Sequence, residues 1–458
     1  MSVETTHSDY DDSLPKWKLV RTCVAGAQAV RKAGVLYLPN PEAEDPTNIS
    51  KRYTDFKARA QFLNVTGRTR NAMVGMAFRK EPEVEITGIE YIEDNATGSG
   101  TSLEQLGKIV TGDLLEVGRI GLLTDYPESG MGLSKEQITG LGLKASIKTY
   151  TAESITNWDT MVVGGENVLS EVRLKESYTV YGERFSQEEK TQYRVLSLID
   201  NVYTVEIFRD EILFGEPSQP RANGSFLNRI PFIIAGAYSN DPDVDAAALY
   251  DIAEINIGHY VNSADYEEGI HLHGQPMLHI DAGITSAPEW DILNPNGVEV
   301  GTRRGIVTVG GGTAKLLQAA SNGAALEAMT KKEEQMVSIG ARTIEPGGQA
   351  ETAEAARIKH AGDNSVLTNI VQNASAAIEQ SLEWAAMFMG INTTPIFNIN
   401  DDFYDKSIDP QVLMAKAQML DRFVIAKADI RDSMRKAGEL SRTDEEIDND
   451  IDDTSPII

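Results

Sequence analysis

Cysteine is almost absent from this sequence, whose 458 residues include a single one, Cys23. One thiol cannot form an intrachain disulfide, and it cannot supply the several thiolates that a cysteine-based structural zinc site needs. The sequence therefore excludes a disulfide-stabilised secreted domain, and it fits a reducing cytoplasm.

Positive charge is also scarce. Lys and Arg number 42 against 69 Asp and Glu, which gives a formal net charge of −27. Proteins that grip nucleic acid do so largely through Lys and Arg, which displace counterions from the phosphates. The charge therefore argues against a tight nucleic-acid binder, although it is compatible with a surface that nucleic acid passes without adhering. Such an excess also simply aids solubility, and the sequence leaves both interpretations open.

Long apolar runs are missing as well. The longest, such as residues 231–237, fall far short of the about 20 residues that a bilayer-spanning helix needs. The first residues, MSVETTHSDYDD, are polar and acidic, whereas a secretory signal combines basic and apolar segments. We therefore expect no membrane segment, and we expect a protein of the cytoplasm or of a particle assembled there.

Signatures of catalysis and cofactor binding do not occur. The glycine run at 308–315 lacks the spacing of a phosphate loop and is better interpreted as a tight β-turn. His271, His273 and His279, with His259 upstream, lack a further ligand at metal-site spacing. No nucleophile elbow is present, and carboxylates are too abundant for any acid/base pair to stand out. We predict no catalytic residue, no metal and no cofactor, which leaves a carboxylate-based hydrolase as an alternative without support.

The sequence does contain enough apolar residues for a large core, at 41% of a length that corresponds to roughly three domains. Helical spacing dominates about the first 80 residues, with Ser13 and Pro15 as the predicted start and Gly67 as an interruption. Short β-rich segments separated by turn residues follow over 81–236, with one helix among them at 102–118. The prediction is a helix-rich α+β fold with an antiparallel sheet.

The second half of the sequence alternates helices and breaks. Apolar residues at helical spacing predict helices over 246–271 and 323–344, with a short β-type insert between them. A proline and two glycines at 345–348 then break the helical pattern. Further helix is predicted over 352–390 and 410–440.

The helix predicted over 246–271 carries more polar residues than a core helix would. These polar residues are His259, Tyr260, Asn262, Ser263, Asp265, Tyr266, Glu267 and Glu268, and all of them except Ser263 and Glu267 are our candidates for contacts between subunits. Either these residues form a solvated face, or the helix packs against neighbouring copies of itself and its polar groups fix the register between subunits.

Segments spread from residue 37 to residue 440 resemble the portal proteins of tailed bacteriophages. The most telling is LYDIAEINIGHYVNSADYEEGIH at 249–271. The others, in chain order, begin with YLPNP at 37, RAQFLNVTGRT at 59, VGMAFRKEP at 74, GRIGLLTDYP at 118, YTAESITNW at 150, LNRIPF at 227, IGARTI at 339 and ETAEAARI at 351.

The resemblance implies a portal fold with a wing, a two-helix stem, a β-type clip inserted in the stem and a small helical crown. The corresponding segments are 1–245 for the wing, 246–271 for the first stem helix, 272–322 for the clip, 323–344 for the second stem helix, 345–349 for a tunnel loop, 350–430 for the helices that return to the wing, and 431–458 for a reduced crown. The crown departs from the family because it holds little more than a helix and a tail with seven acidic residues in the ten at 444–453.

The resemblance also implies a function. Portal subunits form a ring, usually of about twelve copies, at one vertex of the capsid of a virion that is assembled in the cytoplasm of a bacterial host. Double-stranded DNA is packaged and ejected through the ring without sequence-specific binding. The other expected partners are the terminase large subunit, which is the packaging motor, the head–tail adaptor, and the major capsid and scaffolding proteins. Another virion component, such as an adaptor or a capsid protein, is the alternative.

Two groups of residues are candidates for these roles. The DNA channel would be lined by the tunnel loop, whose residues are Glu345, Pro346, Gly347, Gly348 and Gln349. The clip would dock the motor and later the adaptor, and its candidate residues are Arg303 and Arg304, since arginine is favoured at interfaces.

Overall fold

The computed structural model divides the chain into two compact units, Met1–Asp401 and Asp402–Ile458. This division lies inside the segment 350–430 that the resemblance assigns to one region. The first unit contains both helices and sheets, so the predicted α+β class is confirmed. The residues that the structure describes are 2–41, 51–127, 142–182, 185–273, 277–281, 288–289, 292, 313–317, 323–340, 353–401 and parts of 403–448.

The first helices of the chain are α1 (Ser8–Ala25), α2 (Ala27–Ala33), α3 (Lys51–Arg59) and α4 (Val65–Ala77). Helix α1 begins earlier than predicted, because the Nδ1 atom of His7 accepts a hydrogen bond from the backbone N–H of Asp9 at 3.2 Å. This bond satisfies one of the donors left open at a helix start. Ser13 is therefore not the cap, and Pro15 lies inside the helix.

Gly67 does not interrupt the second helical stretch, as the sequence predicted, but lies in the first turn of α4. Its N–H donates to the side chain of the N-cap residue Asn64 at 2.9 Å. A Cβ atom at this position would lie 2.8 Å from the carbonyl oxygen of Val24. The glycine therefore permits a close approach between α4 and the end of α1, and the interruption falls at 60–64 instead.

Helix α6 (Leu103–Val117) follows a single-turn helix, α5 (Tyr91–Asp94), and forms the centre of the core. Ser102 and Gln105 cap its start reciprocally, and Gly118 ends it in the left-handed conformation with a φ of 74°. The predicted helix at 102–118 is confirmed. Most residues around its circumference are buried, as expected of a helix that is covered on all sides.

A partly buried ionic cluster joins α1, α4 and α6. Arg21 on α1 donates to Asp113 at 2.8 Å and to Glu116 at 2.6 Å, and both acceptors belong to α6. Arg70 on α4 donates to the second oxygen of Glu116 at 2.9 Å. Its guanidinium passes over Gly112, where a Cβ atom would lie 1.9 Å from Nη2.

A three-stranded antiparallel sheet lies beside this helical core. Its central strand is β2 (Arg119–Asp125), which pairs on one side with β3 (Ser146–Thr151) and on the other with β11 (Phe232–Gly236). The long helix α9 (Ala353–Phe388) packs against β2, β11 and α6. A short pair, β1 (Glu83–Glu85) with β14 (Ile396–Asn398), joins the early part of the unit to its last part.

A five-stranded meander forms the predicted antiparallel sheet. Its strands are β4 (Ile155–Val163), β5 (Glu166–Tyr181), β6 (Gln187–Ile199), β7 (Val202–Arg209) and β8 (Ile212–Leu213), in that order. Two-residue turns connect β4 to β5, β6 to β7 and β7 to β8, and both residues of the turns at 164–165 and 200–201 have positive φ. This conformation matches the twist of hairpin strands. Strands β9 (Arg221–Ala222) and β10 (Ser225–Phe226) form a further small hairpin.

The remaining described elements include two helices that the sequence predicted around a β-type insert. Helix α7 (Tyr250–His273) corresponds to the predicted 246–271, and α8 (Ala324–Ser338) corresponds to the predicted 323–344, whose last residues lie outside the described part. Between them, β12 (Met277–Asp281) pairs antiparallel with β13 (Thr313–Leu317). The second unit contains α10 (Pro410–Asp421) and α11 (Lys427–Lys436).

Candidate functional site: the α7–α8 helix pair

Helices α7 and α8 pack side by side. Met277 at the start of β12 is paired with Leu317 at the end of β13, so the end of α7 and the start of α8 lie next to the same end of the hairpin. The two helices therefore run antiparallel, with the hairpin beyond one end of the pair. This arrangement follows from the register of the insert and from the lengths of its two connections, which are three residues from α7 to β12 and six from β13 to α8.

Polar contacts hold the two helices together. The Nε2 atom of His259 on α7 lies 3.0 Å from Oε1 of Glu333 on α8. One residue along α8, the Lys332 ammonium donates to the side-chain oxygen of Asn262 at 2.6 Å. Gly258 leaves room for the same lysine, because a Cβ atom there would lie 2.9 Å from its Cε. His259 and Asn262, both predicted site residues, therefore fix the register between the helices of one chain.

Tyr260 is completely buried in an apolar cluster between α7 and the first helices of the chain. Its neighbours there include Tyr53, Phe56 and Ala264, and the ring of Phe62 meets its ring edge-on at 6.0 Å. Burial raises the pKa of its hydroxyl. The solvated-face interpretation is therefore wrong for Tyr260, as it is for His259, whose exposure is 3%.

Glu268 faces the first helices as well. It forms ion pairs with Arg59 and, at 3.5 Å, with Arg52, and both cations belong to α3. Glu268 is 13% and Arg59 26% exposed, so this pair is shielded from solvent more than a surface salt bridge is, whereas Arg52 is 54% exposed.

Two further polar residues of α7, Asn256 and Ser263, attach it to the same region and were not among the predicted site residues. Asn256 accepts from the hydroxyl of Thr66 at 3.0 Å and donates to the Leu63 carbonyl at 2.8 Å. Ser263 accepts from the N–H of Gln61 at 3.0 Å and donates to its carbonyl at 2.9 Å. Their partners are so distant in sequence that helical spacing carried no signal for them.

Asp265 and Tyr266 differ from the other predicted residues of α7. Asp265 is exposed and Tyr266 is half-buried, and Ile270 one turn further along is 50% exposed. This part of α7 therefore has surface left over after the contacts within the chain are made. A role of the six predicted residues between subunits stays a prediction.

The start of α7 is held by a buried arginine at the beginning of β2. Arg119 donates through Nη1 to the carbonyls of Pro242 at 2.7 Å and Asp243 at 3.1 Å, and its guanidinium lies 3.9 Å above the ring of Trp158. Burial lowers the pKa of this guanidinium to about 10. Because Asp245 also accepts from the N–H of Tyr238 at 2.7 Å, the segment before α7 is fixed as a loop, and the helix starts at Tyr250 rather than at 246.

The exposed surface of the helix pair is acidic. Its exposed carboxylates are Asp251, Glu254, Asp265, Glu327, Glu333 and Glu334. Among the described residues of the two helices, Lys331 is the exposed lysine, and Lys332 is half-buried beside Asn262. The pair therefore contributes negative charge to its surroundings.

The described residues contain no group of three His, Cys, Asp or Glu side chains placed to hold a metal ion. Cys23 is buried, and burial raises the pKa of its thiol to about 12, which keeps it from acting as a nucleophile near neutral pH. In the same part of the chain, no helix is long and apolar enough for a membrane span. His271 is exposed at the end of α7.

The other predicted site residues lie outside the described part of the chain. These are Arg303 and Arg304 of the clip and Glu345, Pro346, Gly347, Gly348 and Gln349 of the tunnel loop.

Comparison with known proteins gives one family and several structures. Residues 248–389, from the start of α7 to the end of α9, match a family described as a domain of unknown function, DUF4055. No curated protein matches the chain.

The similar solved structures include chains of gene transfer agent particles. The virion of a native particle includes a chain with a TM-score of 0.42 and 12% identity, and the match covers 92% of this chain and 98% of that one. The neck of an empty particle, computed with C6 symmetry, includes a chain with a TM-score of 0.43 and 13% identity, and the match covers 90% of this chain and 100% of that one. The neck of a native particle, computed with C12 symmetry, includes a chain with a TM-score of 0.43 and 14% identity, and the match covers 89% of this chain and 99% of that one.

Proposed function

We propose that this chain is a portal subunit, a structural protein that forms a ring at one capsid vertex of a phage-like virion. The ring would pass double-stranded DNA inward during packaging and outward during ejection. The observation that carries the proposal is the antiparallel pair α7–α8 with the β12–β13 hairpin beyond its end, which corresponds to the two-helix stem and clip that the resemblance implies.

The contacts of α7 support a mechanical role. Asn256, Ser263 and Glu268 attach it to the first helices, and Arg119 holds its start. A helix pair fixed along its length in this way can line a channel without moving when DNA passes. The body of each subunit then transmits force to the ring.

The acidic surface of the pair fits the passage of DNA. Carboxylates repel phosphates, and at physiological salt this repulsion is screened within about 8 Å. The effect is therefore confined to the channel wall, where it denies DNA a resting place. The motor, which is the terminase large subunit, supplies the work, so that this chain needs no catalytic residue.

The remaining roles in the proposal rest on the resemblance alone. Arg303 and Arg304 would dock the motor and then the head–tail adaptor, and the loop 345–349 would contact the DNA. Capsid and scaffolding proteins would surround the ring in the assembling virion.

The size of the purified protein tests the proposal directly. A ring of about twelve subunits of 50.0 kDa would have a mass near 600 kDa, measured by native mass spectrometry, and negative-stain images would show a central hole. A protein that stays a 50.0 kDa monomer under all assembly conditions contradicts the proposal.

A pair of variants tests the residues of α7 separately. Tyr266→Ala should weaken the ring if Tyr266 contacts a neighbouring subunit, whereas Asp251→Ala, also on α7 and exposed, serves as the matched control. Rings that form equally well from wild type and Tyr266→Ala would remove this residue from the interface and leave the ring itself intact.

A further inference from the structure

The hairpin formed by β5 and β6 extends beyond the rest of its sheet. Strand β4 pairs with β5 only as far as Leu174, and β7 pairs with β6 only from Gln192 onward. Residues 177–181 and 187–191 are therefore paired only with each other among the described strands. We call these two segments the arm, which projects about 17 Å at ~3.3 Å per residue.

The arm is exposed and has an apolar tip. Tyr181 is 74% exposed and Phe185 in the turn is 93% exposed, and none of the arm's described residues is buried. A two-stranded hairpin by itself is marginally stable in water. An arm of this length with aromatic side chains at its end is therefore expected to be covered in the functional assembly.

A cleft of about 180 Å³ lies at the opposite end of the same strand. Its apolar wall includes Ile230, Phe232, Ile234 and Trp384, and Asn167 and Arg229 are among the residues that line it. The cleft is smaller than the about 300–1,000 Å³ of typical small-molecule sites. It is, however, large enough for one aromatic ring, since a cavity of about 150 Å³ holds benzene.

The distance between the arm and the cleft decides whether the arm of the same chain or that of another copy can enter the cleft. Asn167 lies near the start of β5 and Tyr181 at its end, so that they are about 45 Å apart at ~3.3 Å per residue. The arm of one chain therefore cannot reach the cleft of the same chain. An arm that enters this cleft must therefore belong to a second copy of the chain.

We propose that the arm of each subunit inserts Tyr181 into the cleft beside Trp384 of the next subunit. The contact joins two different surfaces, and a contact of this kind repeats from copy to copy and closes into a ring when the rotation between copies permits. The inference rests on the proposed ring function and assigns one of its contacts between subunits.

Cysteine cross-linking tests the contact. In the double variant Tyr181→Cys, Asn167→Cys, oxidation of assembled particles should give a ladder of covalent oligomers up to the closed ring on a denaturing gel. The native Cys23 is buried and should not interfere. The matched control is Tyr181→Cys with Leu36→Cys, because Leu36 is exposed just after α2 and belongs to no element that lines the cleft.

The outcomes are distinguishable from a failure of the ring proposal. Rings that are visible in negative stain but give no ladder would overturn the arm contact and leave the portal proposal standing. A ladder of equal yield in the control would indicate unspecific collisions and would also overturn the contact. A wild-type protein without rings would overturn the proposed function itself.

Substitution of the arm residue gives a second readout. Tyr181→Ala should raise the protein concentration at which rings dissociate by at least tenfold, and Tyr181→Phe should leave it within twofold. Because Tyr181 is exposed, the monomer should fold normally in both variants, which circular dichroism can check. An unchanged dissociation concentration for Tyr181→Ala would contradict the inference.

Discussion

His259 on α7 and Glu333 on α8 form a hydrogen bond in which one partner is buried and the other is half exposed. The distance from Nε2 to Oε1 is 3.0 Å, and the side chains are 4% and 49% exposed respectively. Among the described residues, the Nδ1 atom of His259 has no hydrogen-bond partner. Glu333 is thus the contact that satisfies this buried ring.

Removing the carboxylate should destabilise the protein. Glu333→Ala leaves a buried imidazole without its partner, which should lower the free energy of unfolding by about 1 kcal/mol. Glu334→Ala is the matched control on the same helix, since Glu334 is exposed, and should change it by less than about 0.5 kcal/mol. Urea unfolding measures both, and equal values would show that the His259–Glu333 bond has no net effect.

Two glycines that lie in helices should respond to alanine in opposite directions. At Gly112 the new Cβ would lie 1.9 Å from the Arg70 guanidinium, which would have to withdraw from Glu116, at a cost of about 1–3 kcal/mol. At Gly75 in α4 nothing lies within 4 Å, so alanine should stabilise the helix by up to about 1 kcal/mol. Thermal unfolding of both variants checks the signs, and stabilisation by Gly112→Ala would contradict the described position of Arg70.

Acid sensitivity should depend on Glu176 in the five-stranded sheet. Burial alone would raise the pKa of this carboxyl, but hydrogen bonds from Arg194 at 2.7 Å, Tyr150 at 2.6 Å and Gln192 at 2.9 Å outweigh it and lower the pKa. A lowered pKa means that the carboxylate stabilises the fold above its unfolded pKa of about 4.3. This contribution is lost as the pH falls through the lower folded value.

The variant Glu176→Gln should remove that dependence. Its stability at pH 7 should be lower by about 1–3 kcal/mol, and the difference from wild type should shrink as the pH falls below about 4. Glu189→Gln is the control on the same sheet, because Glu189 is exposed. A difference between wild type and Glu176→Gln that stays constant from pH 7 to pH 3 would contradict the assignment.

The glycines of the tunnel loop give a prediction about packaging. Gly347 and Gly348 permit backbone conformations that other residues rarely adopt, and a loop that shifts as DNA passes would use them. Replacing both with alanine should slow DNA packaging in vitro while rings still form. Unchanged packaging would mean that the glycines do no more than break the helix.

The sequence predicted a helix correctly where residues at both of its ends favour a helix end. Ser102, Gln105 and Gly118 delimit α6 within a few residues of its ends, so that the prediction and the structure agree. The start of α1 was wrong because an imidazole cap is a weaker sequence signal than the Ser13–Pro15 pattern. Gly67 looked like a break because the close approach of Val24 is invisible in the sequence.

The candidate site shows more clearly which contacts the sequence could not predict. The polar character of α7 was evident, but the partners of Asn256 and Ser263 lie 190 and 202 residues away. Spacing along one helix cannot identify such partners. The sequence offered solvent or a second subunit as partners for these side chains, and the structure adds the first helices of the same chain.

The pairing of Glu83–Glu85 with Ile396–Asn398 has a consequence for how the chain tolerates cutting. Helices α7 and α8, which flank the hairpin insert, pack on each other, and α7 is also held by the first helices of the chain. A protease that cleaved only within the insert would give two fragments that remain joined by the α7–α8 contact, by the pairing of β1 with β14 and by the packing of α9 on the sheet. The folded subunit therefore does not depend on a continuous backbone between α7 and α8, and cleavage there should leave both fragments in place.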